Sequence, residues 1–209
     1  MIRILLVDDH PVVRHGIRTI LTDRFRDAVV AEAGDAPSAL RAVRKADWDV
    51  VLLDISMPGP SGLDLIKRLR REHPALPLLV VSMHPAVQFA RRALSAGAIG
   101  YLTKDSAPED FVTAVEHARR GHRYVGPEAT EDLLHWQANT LAPPHDSLSD
   151  REYQFLRLLG SGRTVSDIAR ALGLSVKTVS TYRTRVMEKM KLESNSDLTY
   201  YALKNGLIQ

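Results

Sequence analysis

Five short apolar runs punctuate the first 126 residues: Ile2 to Val7, Val29 to Ala33, Val50 to Leu53, Leu78 to Val81 and Ile99 to Leu102. Each is Leu-rich or β-branched on consecutive rather than alternate positions, the pattern of strands covered by helices on both faces. Amphipathic stretches lie between them, near Pro11 to Thr22, Pro37 to Lys45, Gly62 to Arg71, Ala86 to Ala96 and Pro108 to Arg120. Pro37 and Pro108 stand where a first helical turn tolerates proline, and Gly97 and Gly121 suit C-terminal caps. Strand and helix alternate five times, so residues 1–126 are expected to form an α/β domain with a doubly wound, five-stranded parallel sheet.

The pattern then changes. Residues 127–147 contain Glu128, Glu131, Asp132 and Asp146, no Lys or Arg, and the pair Pro143-Pro144 in a polar setting, which reads as a linker, partly helical near Leu133 to Trp136. Residues 148–209 carry no strand-like run and show four helical patterns. Ser149 and Glu152 have capping-box spacing, and Val165, Ile168, Ala169 and Leu172 follow Thr164 at helical intervals. Gly173-Leu174-Ser175 then breaks the chain before a long helix from Val176, the spacing of a helix-turn-helix in an all-α, four-helix domain.

Composition narrows the function. With 28 Lys and Arg against 25 Asp and Glu, a net of +3, binding of nucleic acid by bulk charge is excluded, so any such surface must be local. The absence of Cys excludes a disulfide scaffold, a thiolate metal site and a cysteine nucleophile, and fits a reducing cytoplasm. The N-terminal apolar run is too short for a signal peptide or a membrane span and reads as a buried strand.

In a parallel sheet all strands end on one edge, and the residues expected there are Asp8 and Asp9, Asp54, Ser82 and Lys104. Three crowded carboxylates repel unless a divalent cation lies among them, and an all-oxygen ligand set points to Mg²⁺. A carboxylate beside such an ion can attack phosphorus and form an acyl phosphate, with Lys104 and the Ser82 hydroxyl as donors to the transferring oxygens. Any one acid at a strand end is more often merely solvated; the reading rests on all five residues sharing an edge. His10 and His15 read as surface or packing residues. No Gly-rich phosphate loop is present, nor a second acid two residues after Asp54 of the kind used by dehalogenase-type phosphatases, which weighs against a Mg²⁺-dependent phosphohydrolase.

The segments VDDHP, LLDISMPGPSG, VVS and GYLTKD, in this order and spacing, resemble a response-regulator receiver domain over residues 1–126. The resemblance implies a flavodoxin-like fold. It implies that Asp54 accepts phosphate from a sensor histidine kinase, that Asp8, Asp9, Asp54 and the backbone carbonyl of Ser56 hold Mg²⁺, that Lys104 binds the phosphoryl group, and that Ser82 and Tyr101 report phosphorylation. Tyr101 would turn in from solvent as Ser82 is recruited. Met83 departs from the small residue common after the switch hydroxyl, and Asp105 from the common proline after the lysine.

On the helix after Ser175, Val176, Val179, Val186, Met187 and Met190 share an inward face, opposite Lys177, Thr181, Thr184 and Arg185. Hydroxyls beside basic residues suit base edges and phosphates in a major groove, although charge alone leaves an ordinary solvated face equally open. Residues 148–209 resemble the LuxR-type helix-turn-helix in the opening LSDRE, the scaffold helix IARALGLS, the KTV of the recognition helix and the closing KMKL, with Tyr182-Arg183 replacing the commoner His-Val. The resemblance implies base contacts by Ser180, Thr181 and Thr184, backbone contacts by Lys177, Thr178, Tyr182, Arg185 and Lys189, and a last helix that supports dimerisation on double-stranded DNA. The chain as a whole resembles the NarL/FixJ-family response regulators. The implied protein is a cytoplasmic transcription regulator, not a turnover enzyme and not membrane-bound, forming a phosphorylation-dependent homodimer. An alternative is a phosphorylation-independent DNA binder whose receiver serves as a dimerisation module.

Overall fold

The computed structural model describes residues 1–57, 62–83, 86–126 and 143–208. The chain divides into two compact units, Met1–Ala138 and Asn139–Gln209. The expected helix near Leu133 to Trp136 lies outside the described residues.

In the first unit strands and helices alternate: β1 (Ile2–Val7), α1 (Pro11–Arg24), β2 (Ala28–Ala33), α2 (Ala36–Lys45), β3 (Val50–Leu53), α3 (Gly62–Glu72), β4 (Leu78–Ser82), α4 (Ala86–Ala96), β5 (Gly100–Thr103), α5 (Pro108–Arg119) and β6 (Tyr124–Val125). The sheet is wholly parallel with order β2-β1-β3-β4-β5-β6, so the strand order reverses between β1 and β3. The expected five strands are there, and a sixth is added. β6 is only two residues long, too short to leave a hydrophobic run in the sequence. It docks because Gly100 has no Cβ; a side chain there would strike the Tyr124 carbonyl.

The consecutive apolar runs behave as central strands: β3, β4 and β5 are buried throughout, and β1 everywhere except Arg3. β2, at the edge, is only partly covered. On one face Ile4, Leu6, Val50, Leu52, Leu79 and Val81 pack with Ile17 and Leu21 of α1 and Phe111, Ala114, Val115 and Ala118 of α5. Leu65, Ile66 and Leu69 of α3 and Ala39 and Val43 of α2 are buried as well. Gly62 opens α3 where its backbone meets that of Ile55, a contact no side chain would fit.

The second unit begins with a 3₁₀ turn (Pro144–Ser147), followed by α6 (Asp150–Gly160), α7 (Val165–Leu172), α8 (Val176–Met190) and α9 (Asn195–Lys204). The turn is tied to α9 by a hydrogen bond between His145 Nδ1 and the Tyr201 hydroxyl, 2.8 Å. The expected capping box forms on α6, where Ser149 Oγ accepts from Glu152 N–H and Glu152 Oε2 accepts from Ser149 N–H. Thr164, Ser175 and Ser194 cap the other three helices, and Gly173 ends α7 in the left-handed region at φ 64°. The inward face of α8 is Val179, Val186, Met187 and Met190, all buried. Val176, expected among them, is 51% exposed, because as the first residue of the helix it lies beyond the packed turns. Among the described residues no helix is long and apolar enough to cross a membrane.

Candidate functional site

The parallel register assembles the site. Past the end of β3, Asp54 N–H still donates to Val7 O at 2.8 Å, and past β5, Lys104 N–H donates to Ser82 O at 2.9 Å. Asp8 N–H likewise donates to Ala33 O at 3.1 Å. The ladders thus carry Asp8, Asp54, Ser82 and Lys104 side by side at the carboxyl edge, next to the reversal of strand order, as their positions in the sequence predict.

Their side chains converge. Lys104 Nζ lies 2.6 Å from Asp8 Oδ2 and 2.7 Å from Asp54 Oδ2, and all three side chains are almost wholly buried. Asp54 Oδ1 accepts the Ser56 N–H at 2.7 Å. Burial pushes the Asp54 carboxyl above its usual range, assisted by the Asp8 charge, against the pull of the Lys104 ammonium and the Ser56 amide. Lys104 pays its own burial penalty but is held above its ordinary value by hydrogen bonds and charge from Asp54 and Asp8. Ser82 is fully buried, its Oγ 3.3 Å from Ser56 Oγ. Tyr101 is fully buried too. The sequence reading has this ring turn in only on phosphorylation; here it already occupies the interior. Met83, beside the site, is 68% exposed.

Two residues join that the sequence reading did not place here. His10, the N-cap of α1, puts Nδ1 3.2 Å from Asp8 Oδ1 and 3.0 Å from Asp9 Oδ1. The donor atoms of Asp8, Asp9, His10 and Asp54 all lie within 4.8 Å of one another, a grouping able to hold a metal ion. Arg14, one turn along α1, donates from its guanidinium to the Asp8 carbonyl at 2.6 Å and to Glu32 Oε2 of β2 at 2.9 Å, pinning the acidic loop. Adjacency in VDDHP was the available signal for His10; the four-residue step from His10 to Arg14 was the signal for the second.

In the helical unit, Lys177, Ser180, Thr181, Thr184 and Arg185 of α8 are exposed, and Thr178 and Tyr182 are half-buried. The Thr181 hydroxyl donates to Lys177 O and the Thr184 hydroxyl to Ser180 O, leaving lone pairs and methyl groups for a partner. Thr178 is engaged at the cap, its Oγ1 2.8 Å from Ser175 Oγ. Lys189 is drawn elsewhere: its Nζ lies 2.7 Å from Glu152 Oε2. The Glu152 carboxyl is held low by Lys189 and by the Ser149 amide in spite of its burial, which acts the other way. Arg183 donates to Asn195 Oδ1 at 2.9 Å, fixing its head at the start of α9.

Comparison with known proteins agrees with both halves. Residues 4–116 match the response regulator receiver domain, and residues 146–202 match the bacterial regulatory proteins of the luxR family. The chain is 37% identical over 210 residues to the response regulator GacA of Pseudomonas aeruginosa, covering 100% of this chain and 98% of GacA. It is 36% identical over 209 residues to the response regulator UvrY of Escherichia coli, covering 99% and 96%. Among solved structures, an RcsB–DNA complex superposes with a TM-score of 0.59 at 30% identity, covering 96% of each chain. RcsB of Salmonella enterica serovar Typhimurium on the rprA promoter with the phosphomimetic BeF₃⁻ gives 0.67 at 29% identity, covering 96% and 98%. A receiver domain followed by a LuxR-type helix-turn-helix, matched over its full length by such relatives, places this chain in the NarL/FixJ family of two-component response regulators, which control transcription.

Proposed function

We propose that Asp54 is the phosphoacceptor and that its phosphorylation by a sensor histidine kinase controls binding of α8 to DNA. The observation that carries this is Asp54 itself, a buried carboxylate contacted by one ammonium and standing beside two further carboxylates at the switch point of the sheet. An Asp54 oxygen attacks the phosphorus of the kinase phosphohistidine, the P–N bond breaks, and an acyl phosphate results. Lys104 then follows the negative charge outward to the phosphoryl oxygens. The Ser82 hydroxyl, now shared with Ser56, donates to another of them.

The donor set fits a hard divalent ion, and Asp9 Oδ1 is shut off from solvent without a hydrogen bond. Asp8, Asp9, Asp54 and the Ser56 carbonyl would hold Mg²⁺. When bound, Mg²⁺ supplies positive charge that offsets the crowded carboxylates and the oxygens in transfer. Because Tyr101 is already inside, phosphorylation locks an arrangement rather than recruiting it, shifting a population toward the form that dimerises.

The receiver occupies residues 1–126, the linker 127–147 and the DNA-binding domain 148–209. Ser180, Thr181 and Thr184 face base edges in the major groove, and Lys177, Thr178, Tyr182 and Arg185 the phosphates. Lys189 serves the fold first, through Glu152. RcsB has been seen as dimers on DNA; exposed Tyr200 and Leu203 on α9 offer this chain an equivalent apolar contact for a second copy. The protein works in the cytoplasm as a regulator rather than a turnover enzyme.

The buried Tyr101 also favours a second reading, in which the receiver dimerises and DNA is bound without phosphorylation. Selection of binding sites from random duplexes, followed by affinity measurement with and without a phosphodonor, separates the two. A rise in affinity and a shift to dimer with the donor supports control by Asp54; identical affinities support the second reading.

A further inference from the structure

We infer that Arg119, Arg120 and Arg123, at the end of α5, form a basic patch on the receiver that grips the phosphate backbone of double-stranded DNA outside the stretch read by α8. The inference rests on the reading of α8 as the DNA-binding helix and goes beyond it by giving the receiver a share of the DNA contact.

The patch is built by the way α5 ends. Gly121, at φ 75°, takes the left-handed turn, its N–H donating to Ala118 O at 2.9 Å while His122 N–H reaches back to His117 O at 2.9 Å. This pair of bonds closes the helix and holds residues 119–123 on one tight turn. Across such a closure an apolar contact is usual; here two imidazoles make it, the His122 ring meeting the His117 ring edge-on at 6.2 Å. His117 packs in the same manner on Tyr124 at 5.7 Å, and the Tyr124 hydroxyl donates to Asp110 Oδ1 at 2.9 Å. The turn is thus braced against the start of α5.

Arg119, Arg120, His122 and Arg123 are all exposed, and residues 117–126 contain no Asp or Glu. Other arginines of this unit are paired: Arg14 and Arg18 share Glu32, and Arg44 and Arg68 share Glu72. Among the described residues no carboxylate pairs with Arg119, Arg120 or Arg123, Glu116 one turn back included. The negative end of the α5 dipole accounts for Arg119 and Arg120, but Arg123 lies past the closure. Three like charges within five residues repel, and a row of phosphates relieves them. The tether selects DNA as that row. Arg123 stands four residues before the linker assigned to residues 127–147, and those 21 residues span at most about 70 Å, the length of about 20 base pairs. Once α8 is bound, the patch meets flanking phosphates at the high effective concentration of a tethered partner, so contacts too weak to bind alone add to affinity.

The test uses the full chain and two duplexes: a site selected from random sequence with about 20 base pairs of random flank on each side, and the same site trimmed to its ends. The parent is expected to bind the flanked duplex at least about tenfold more tightly at about 50 mM salt, with a log–log salt slope steeper by about 2 to 3 per bound chain. In the triple variant Arg119→Gln, Arg120→Gln, Arg123→Gln both differences should disappear, while affinity for the trimmed site stays within about twofold of the parent. The corresponding triple change to Lys keeps the charge and should keep both. Equal affinity of the parent for the two duplexes overturns the inference with no variant needed. A Gln variant that retains the flank effect overturns it too, and slower phosphotransfer from a kinase in that variant would then assign the patch to a protein partner. Loss of the flank effect in the Lys variant also overturns it, because a phosphate contact needs only the charge. Failure to select any site refutes the reading of α8, and this inference with it, whereas absence of the flank effect alone leaves that reading intact.

Discussion

Each unit of this regulator buries a carboxylate against a lysine, and the two pairs are built to opposite ends. In the helical unit Lys189 meets one carboxylate, Glu152, whose other hydrogen bonds close the capping box of α6. The lysine side chain keeps 42% of its exposure and water shares its charge. Every partner is satisfied and the Glu152 carboxyl is held low. In the sheet unit Lys104, only 4% exposed, faces both Asp8 and Asp54 with Asp9 close by, so negative charge is left over, and burial, assisted by the Asp8 charge, pushes the Asp54 carboxyl up. The comparison teaches that a buried lysine–carboxylate contact is structural when its charges balance and reactive when they do not. The surplus at the sheet edge is what a cation and a phosphoryl group are suited to relieve.

The sharpest way to break the comparison is to remove each lysine. Lys104→Ala is expected to slow phosphorylation by roughly a hundredfold or more, measured as the rate of phosphoryl incorporation, because it deletes a preorganised cation from the transferring oxygens. Lys189→Ala should leave that rate unchanged and leave the salt dependence of DNA binding nearly as it was. Arg185→Ala, by contrast, should reduce the log–log salt slope by about one.

Removing the carboxylates separates the pairs by stability. Glu152→Ala loses the capping box and exposes the mismatch at Lys189, and should lower the stability of the helical unit by about 2 kcal/mol in chemical denaturation. Asp54→Asn should do the reverse for the sheet unit, raising stability at pH 7 by on the order of 1 kcal/mol in the absence of divalent ions, because it removes a buried surplus charge.

The two differ least, but most instructively, in pH dependence. The Asp54 carboxyl titrates higher in the folded chain than the ordinary 3.8, so its share of stability is complete below that value and is lost as pH rises through the folded one. The advantage of Asp54→Asn therefore closes on acidification. Glu152 titrates lower than the ordinary 4.5, so its share is complete above that value and is lost as pH falls through the folded one. The deficit of Glu152→Gln also closes on acidification, but only below pH 4.5, and with the opposite sign. Denaturation midpoints of the two variants against the parent, across pH 3.5 to 7, check both.

Much of this was legible along the chain because buried parallel strands write continuous apolar runs, and the residues just past four of the five runs fall on the functional edge. Asp8, Asp54, Ser82 and Lys104 were found in that way, and the structure brings them together. What escaped depended on contacts with no periodic signature. β6 rests on two residues and the missing Cβ of Gly100. His10 and Arg14 reach the acidic loop through the angle at which α1 leaves it, which a one-dimensional pattern does not encode. Helical spacing put Val176 inward, but among the described residues the first turn of α8 leaves it half exposed. Nor did the motif around Tyr101 reveal that its ring would be inside before any phosphoryl group arrives.

The central claim is that the surplus charge at the sheet edge makes Asp54 the phosphoacceptor. Intact-mass measurement after incubation with acetyl phosphate and Mg²⁺, parent beside Asp54→Asn and Glu152→Gln, tests it most directly. The account predicts one phosphoryl adduct on the parent and on Glu152→Gln and none on Asp54→Asn. An adduct that persists in Asp54→Asn would contradict it.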